Sequence, residues 1–189
     1  MRPRSALALA LTLWLAAPDD ALATVMMHRS VEELASMADA VVVATAQRAE
    51  GGGLSSRSLW EGGRIYTDVV LSVNATVAGP VATATTLTVR TPGGVVGDIG
   101  QTVAGAPVFR EGETFVVFLQ RVPAGHWVVL DMAAGLLPVR LDPARGMLVH
   151  PARADGITWV EPPGGRVVEV APEGEPLVPF VSRLRRAVR

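Results

Sequence analysis

The sequence predicts a mainly β protein, folded as an antiparallel barrel or a curved sheet. Short segments rich in Val and Thr recur along the chain, and the 19 glycines and 14 prolines lie between them instead of forming one linker. Helical periodicity is confined to the two ends of residues 24–189. Because no helices alternate with the strands, neighbouring strands are expected to run antiparallel.

The first 23 residues have the pattern of a secretory signal peptide. A basic MRPR start precedes a short apolar run and a small-x-small ending at Ala21–Ala23. The apolar run is shorter than the roughly 20 residues that a membrane-spanning helix needs. We therefore expect a mature chain of residues 24–189 that is periplasmic or secreted, with no membrane span after removal of the signal.

The first mature elements are a short helix and a buried strand. The sequence S-V-E-E at 30–33 matches a capping box, and apolar residues at helical spacing follow, which predicts a helix over 31–38. Residues 40–46 are β-branched and apolar on both faces. This pattern is typical of a central strand that is covered on both sides.

The clearest strand lies at 65–73, where apolar and polar residues alternate. Before it, residues 50–58 have the composition of a mobile loop, and Trp60–Gly63 is expected to close a hairpin. Including weaker segments, we expect seven to nine strands. The other predicted strands are 86–90, 114–119, 126–130, 136–141, 147–149, 156–160 and 166–170, and an amphipathic helix is predicted within 173–189.

The order of segments across residues 30–119 resembles that of a known module. A capped helix ending in Ala38-Asp39 precedes the valine strand, the strand from Tyr66 closes in Val-Ala-Gly at Gly79, and Glu111–Glu113 precedes an aromatic strand. This order is similar to netrin-like modules related to the tissue inhibitors of metalloproteinases, and to a group of uncharacterised exported bacterial proteins. The resemblance implies an OB-type barrel of five strands.

The resemblance does not extend to the inhibitory mechanism. Inhibitors of this type place a disulfide-braced N-terminal cysteine on the protease zinc, whereas this chain has no cysteine and an expected N-terminus at Thr24. We therefore expect one β-rich domain over 24–189. It comprises an antiparallel OB-like barrel with a short N-terminal helix (24–130), a β-rich extension (131–170) and a C-terminal amphipathic helix (173–189).

Composition excludes several classes of function. The formal net charge is −1, and the 17 basic residues, all arginine, form no patch before the C-terminus. This gives no electrostatic basis for binding nucleic acid. The absence of cysteine excludes thiol nucleophiles and zinc–cysteine sites. We predict no cofactor.

A glycine-rich stretch at 93–100 is the most conspicuous loop signal. Glycines at 93, 94, 97 and 100 would let backbone amides approach a phosphate if a helix followed. The next residues contain glycine and proline, and no Lys-Ser/Thr pair follows, so we exclude a nucleotide site. A structural bulged loop and a ligand-contacting loop both remain open interpretations.

Catalytic patterns are weak. His28, His126 and His150 lack metal-binding spacing, and there is no Gly-x-Ser-x-Gly motif. If Asp68 is buried, it needs a partner such as Arg90.

Our leading hypothesis is an exported, non-enzymatic binding or interaction module for an unknown protein, peptide or saccharide. The alternatives are a small extracytoplasmic hydrolase using His126 or His150, and an assembly subunit that pairs through a strand edge. The predicted surface lies on loops 50–64 and 92–107. Its residues are Trp60, Tyr66, Gly93, Gly94, Gly97 and Asp98, with Trp60 the aromatic residue expected to be most exposed.

Overall fold

The computed structural model of the protein describes residues 24–152, 157–161, 165–167 and 173–188. The predicted signal peptide, residues 1–23, lies outside these residues, as do parts of the strands predicted at 156–160 and 166–170. Across the described ranges, no helix combines the length and the apolar character that crossing a membrane requires.

The described residues form fourteen strands, two α-helices and a 3-10 helix. The strands are β1 (Thr24–Met27), β2 (Ala40–Ala46), β3 (Ser56–Glu61), β4 (Arg64–Ala78), β5 (Thr86–Pro92), β6 (Gly94–Val96), β7 (Ile99–Gln101), β8 (Thr114–Arg121), β9 (Trp127–Val129), β10 (Leu136–Asp142), β11 (Gly146–Val149), β12 (Ile157–Glu161), β13 (Arg166–Val167) and β14 (Glu175–Pro176). The helices are α1 (Val31–Met37), α2 (Leu177–Ala187) and the 3-10 helix (Met132–Gly135).

Five strands close into a barrel in the order β2, β4, β5, β9 and β8, with β8 pairing back to β2. The pairs are antiparallel except β5 with β9, where Val89 lies opposite Trp127 and Arg90 opposite Val128. Two parallel strands must be joined by a long crossover connection, and the connection from β5 to β9 includes β8. The predicted barrel is confirmed, and it closes through one parallel pair.

Strands β2 and β8 are buried on both faces, as the sequence predicts for β2. One face of each strand points into the barrel, where Val42 and Val117 are fully buried. The other face packs beneath the helices, where Val41 and Phe118 are equally buried. The protein therefore has two apolar cores that share these two strands.

The helices cover the outside of this part of the barrel. Leu34 of α1 and Phe180 and Leu184 of α2 are buried in the second core. At the start of α1 the predicted capping box is present: the Glu33 amide donates to Ser30 Oγ at 3.2 Å, and the Ser30 amide donates to Glu33 Oε2 at 2.8 Å. Both bonds satisfy backbone amides that have no hydrogen-bond acceptor within the helix.

The predicted β-rich extension has two parts. Strand β10 pairs with the first half of β8, and β11 and β14 continue this sheet beyond β10. Strands β1, β12 and β13 form a separate three-stranded sheet, in which β1 runs parallel to β12. The extension thus joins the N-terminal strand to the C-terminal part of the chain.

One local prediction needs correction, and the structure defines two others more closely. The predicted loop 50–58 contains the start of β3, which pairs with β4 across the Gly62-Gly63 turn. The glycine-rich stretch forms the β6–β7 hairpin. The C-terminal helix begins only at Leu177, because Pro176 disfavours helical backbone at the residue before it, and Glu175-Pro176 instead pairs with β11.

Candidate functional site

A groove of about 680 Å³ lies on the outer face of β4, β5 and β9. Tyr66, Arg90 and Val128 form its base on these strands, because they alternate with residues that point into the barrel. The end of β3 and the segments on either side of β9 complete the walls with Glu61, His126 and Asp131, among others. We call this surface the barrel groove.

Arg90 is the centre of the polar groups in the groove. Its Nε and Nη2 donate to the two carboxylate oxygens of Asp68 at 2.7 and 2.8 Å. Its Nη1 donates to the Glu61 carboxylate and, at 3.0 Å, to His126 Nε2. The Arg90 side chain is 10% exposed. One guanidinium therefore fixes three side chains from β3, β4 and the segment before β9.

The register of the sheet explains why Arg90 and Asp68 meet. The two residues lie directly opposite each other on β4 and β5, on the outer face of the barrel. Cross-strand neighbours on one face are close enough for a bidentate ion pair. The counter-ion predicted from the sequence is therefore confirmed.

This geometry fixes the charge state of the pair. The hydrogen bond from Arg90 lowers the pKa of Asp68 below its ordinary value, with desolvation as a smaller opposing effect. The same hydrogen bond raises the pKa of Arg90. Asp68 therefore stays ionised at neutral pH as a fixed acceptor for Arg90, which does not suit a general base that must gain a proton.

His126 has its Nε2 atom directed at Arg90. A guanidinium only donates hydrogen bonds, so Nε2 is the acceptor and the ring proton lies on Nδ1. The lone pair that a hydrolytic base would use is engaged by Arg90 instead of a nucleophile. His126 is thus placed as a positioned polar group in the wall of the groove.

The aromatic residues predicted for the surface occupy different positions. Tyr66 is partly buried in the groove, with Arg90 Cζ 5.9 Å from the centre of its ring. Trp60 is 47% exposed on β3, which confirms the expected exposure. Trp60 lies on β3 and Tyr66 on β4, so the two aromatic residues are on opposite strands of the β3–β4 hairpin. Glu61, which follows Trp60, lines the groove.

The predicted glycine surface is the β6–β7 hairpin, clamped onto β3 and β4. Thr67 Oγ1 donates to the Gly93 carbonyl at 2.8 Å, and the Ile65 amide donates to Gln101 Oε1 at 2.9 Å. A Cβ on Gly94 would lie 2.2 Å from Thr67 Oγ1. Gly93 and Gly94 therefore allow close packing, as the structural-loop interpretation requires.

Gly97 and Asp98 form the exposed turn of that hairpin. Val95 and Ile99 on either side are 64% and 55% exposed. Of the six residues predicted for the surface, Tyr66 alone lines the groove. The hairpin and the groove are therefore separate candidate surfaces joined through β3 and β4.

The three histidines are dispersed. His28 makes an edge-to-face contact with Trp159, with ring centres 6.5 Å apart, and His28 and His150 line a second cavity between the helices and β11. In the ranges that the structure describes, no three His, Asp or Glu side chains are grouped so that they could hold a metal ion. The histidines of the hydrolase hypothesis thus lie in two different sites.

Sequence reasoning includes Glu61 only as part of the predicted loop 50–64, names His126 only for the hydrolase alternative, and does not assign Asp131 to the predicted surface. Each lies at the end of a strand or in a connection, and periodic patterning does not identify such positions. Tyr66, predicted at the surface, and Arg90, predicted as the partner of Asp68, are the sequence indications that coincide with this site.

Comparison with known proteins found no family model, no curated protein and no solved structure that matches this chain. The resemblance to netrin-like modules therefore stays a prediction. The functional interpretation rests on the geometry of the site alone.

Proposed function

We propose that this protein is an exported, non-enzymatic binding module whose ligand occupies the barrel groove. The observation that carries the proposal is the Arg90 cluster: one guanidinium, on a side chain that is 10% exposed, holds Asp68, Glu61 and His126 in fixed positions on a concave surface beside Tyr66. Preorganised polar groups in a groove reduce the entropy that binding would otherwise cost.

The pairing order of the barrel supports an OB-type assignment. Numbered within the barrel, β4 and β5 are the second and third strands, and the connections before β4 and before β9 adjoin them. OB-type barrels bind oligomeric ligands on this face and these two loops. Glu61 and His126 come from the corresponding two connections, which is consistent with a ligand site there.

The charges of the groove favour a polar ligand without strong net charge. Three carboxylates, Glu61, Asp68 and Asp131, lie in or beside the groove with two guanidiniums, Arg64 and Arg90. There is no excess of positive charge to attract a polyanion. A ligand with hydroxyl or amide groups can donate hydrogen bonds to these carboxylates and accept them from these guanidiniums. We therefore assign the ligand to a saccharide or a short peptide.

The test is a binding screen with the protein purified from its exported form, on arrays of soluble oligosaccharides and of ten-residue peptides. Every hit is remeasured with Tyr66→Ala and His126→Ala, and with Trp60→Ala as the aromatic control outside the groove. We expect the two groove variants to weaken binding about tenfold or more, because Tyr66→Ala removes part of the base of the groove and His126→Ala part of its wall.

Two results would oppose the proposal. Loss of binding in Trp60→Ala and Asp98→Ala, with the groove variants unaffected, would move the site to the surface formed by β3 and the β6–β7 hairpin. The absence of any saccharide or peptide hit with folded protein would contradict a binding module for these ligands.

One observation favours assembly through a strand edge as a second candidate. Within the described residues β1 pairs on one side, with β12, and its Val25 and Met27 are 61% and 44% exposed. Such an edge can accept another strand. Light scattering across a concentration series should then show self-association that Val25→Lys abolishes. A monomer at all concentrations, with no strand-forming peptide bound, would exclude this candidate.

A further inference from the structure

We propose that the second cavity binds a small amphiphile with an apolar body and a cationic head. This site, which we call the helix pocket, has a volume of about 240 Å³ and lies between α1, α2, β11 and β12. It shares no residue with the barrel groove and does not depend on the function proposed above.

The floor of the helix pocket is apolar. Leu34, Leu137, Val149 and Phe180 line it, and all four belong to the second core. A cavity of about 150 Å³ lined by such side chains is large enough for benzene. The helix pocket therefore suits an apolar body somewhat larger than benzene, with roughly six to ten carbon atoms.

Ion pairs join the elements that form the walls of the pocket. Arg183 of α2 donates to the carboxylates of Glu32 on α1 and Glu175 on β14. Its guanidinium also lies 5.2 Å from the centre of the Phe180 ring. These contacts link α1, α2 and β14 around the cavity, and the buried side chains of the floor hold its base in place before a ligand arrives.

Among the described residues, two guanidiniums and two carboxylates line the pocket, and the ion-pair partners Glu32 and Asp131 add two carboxylates next to the lining. Two carboxylates share Arg183, and Arg29 is paired with Asp131 at 3.1 Å. Glu173 lines the pocket as a further, exposed carboxylate. The excess negative charge attracts a cationic head and repels an anionic one.

An aromatic wall favours the same ligand chemistry. Trp159 lines the pocket, and His28 contacts it edge-to-face with ring centres 6.5 Å apart. The face of an indole ring attracts ammonium groups, and this attraction increases where water is excluded. Charge, aromatic surface and apolar floor therefore point to one class of ligand, an amine with a short alkyl or aryl body.

The experiment compares three probes that share a phenylbutyl body and differ in the head: 4-phenylbutylammonium, 4-phenylbutanol and 5-phenylpentanoate. Each is titrated by calorimetry into the exported protein at neutral pH. We expect the ammonium to bind best, the alcohol more weakly and the carboxylate weakest. Glu173→Gln should weaken the ammonium about two- to fivefold and leave the alcohol unchanged, as expected for one exposed charge.

Two further variants locate the site. Ala152→Leu should fill the pocket from its edge and weaken all three probes, and Trp159→Leu should weaken the ammonium about fivefold or more. Trp60→Leu and Glu50→Gln are the matched controls, since both residues lie outside the pocket, and they should have no effect. Thermal unfolding of every variant verifies that it is folded.

Each adverse result overturns a defined part of the proposal. Binding of the carboxylate as tightly as the ammonium would overturn the cationic assignment. Binding unchanged by Ala152→Leu would overturn the location. If every probe has a Kd above about 10 mM, the helix pocket is not a ligand site.

Discussion

Arg29 donates from Nε to Asp131 Oδ2 at 3.1 Å, across 102 positions of the sequence. Arg29 lines the helix pocket, and Asp131 lines the barrel groove. The backbone at Asp131 is left-handed, with φ of 54°, and Met132 beside it has φ of 56°. Non-glycine residues rarely adopt this conformation, so the ion pair lies at a strained turn between the two cavities.

Breaking this ion pair should lower the free energy of unfolding by a small but measurable amount. We expect a double-mutant cycle of Arg29→Ala and Asp131→Asn to give a coupling of about 0.5–1 kcal/mol, because both side chains are partly buried. Asn tolerates the left-handed backbone, so the substitution removes charge without adding strain. Urea unfolding measures the coupling, and additive effects would contradict the inferred link.

The Asp68–Arg90 pair should make stability depend on pH. Asp68→Asn is expected to lower the free energy of unfolding at pH 7 by about 1–3 kcal/mol, since Arg90 would lose its bidentate partner. The pKa of Asp68 is lowered in the folded state. Its contribution is therefore complete above the unfolded-state pKa, about 4, and is lost as the pH falls from there through the lowered folded value.

Unfolding measured from pH 7 to pH 2 tests this expectation. The difference between wild type and Asp68→Asn should shrink below about pH 4. Asp98→Asn, at the exposed hairpin turn, is the control and should show no such convergence. A constant difference across the whole range would show that the charge of Asp68 is not the cause.

Two glycines of the β6–β7 hairpin should respond very differently to alanine. At Gly94, with φ of 136°, a Cβ would lie 2.2 Å from Thr67 Oγ1 and 2.6 Å from Ser58 Oγ. Gly94→Ala should therefore destabilise the protein by about 2–4 kcal/mol or detach the hairpin. At Gly97 an added Cβ has no atom within 4 Å, so Gly97→Ala should lower the free energy of unfolding by only about 1 kcal/mol, because the backbone there is left-handed.

Hydrogen exchange at the Ile65 amide, which donates to Gln101, reports whether the hairpin stays attached. Faster exchange is expected in Gly94→Ala and not in Gly97→Ala. Equal effects of the two substitutions would contradict the close packing of Gly94.

The turn before β5 offers a stabilising substitution. Ala84 is exposed and has φ of 58°, a conformation that disfavours any residue with a Cβ. We expect Ala84→Gly to raise the free energy of unfolding by about 0.5–1 kcal/mol, because the relief of strain exceeds the added chain entropy. Ala82→Gly, nearby with an ordinary backbone, should lower it by a similar amount. A loss of stability in both variants would refute the inferred strain.

Local patterning determined much of the fold. The apolar residues of β2 on both faces predicted burial on both faces, and the alternation within β4 placed Asp68 on the outer side with Arg90 as its counter-ion. The capping box fixed the start of α1. Such features depend on residues a few positions apart or on one strand pair, where side-chain period and backbone geometry decide the outcome.

Tertiary structure decided the rest. Short strands such as β3 and β6 exist because β4 provides their pairing and packing surface, not because of their own composition. Likewise, His126 meets Arg90 through the parallel pairing of β5 with β9, and the helix pocket exists where two layers meet without filling the space between them. Closure and register join residues far apart in sequence, and no local period encodes which of them will become neighbours.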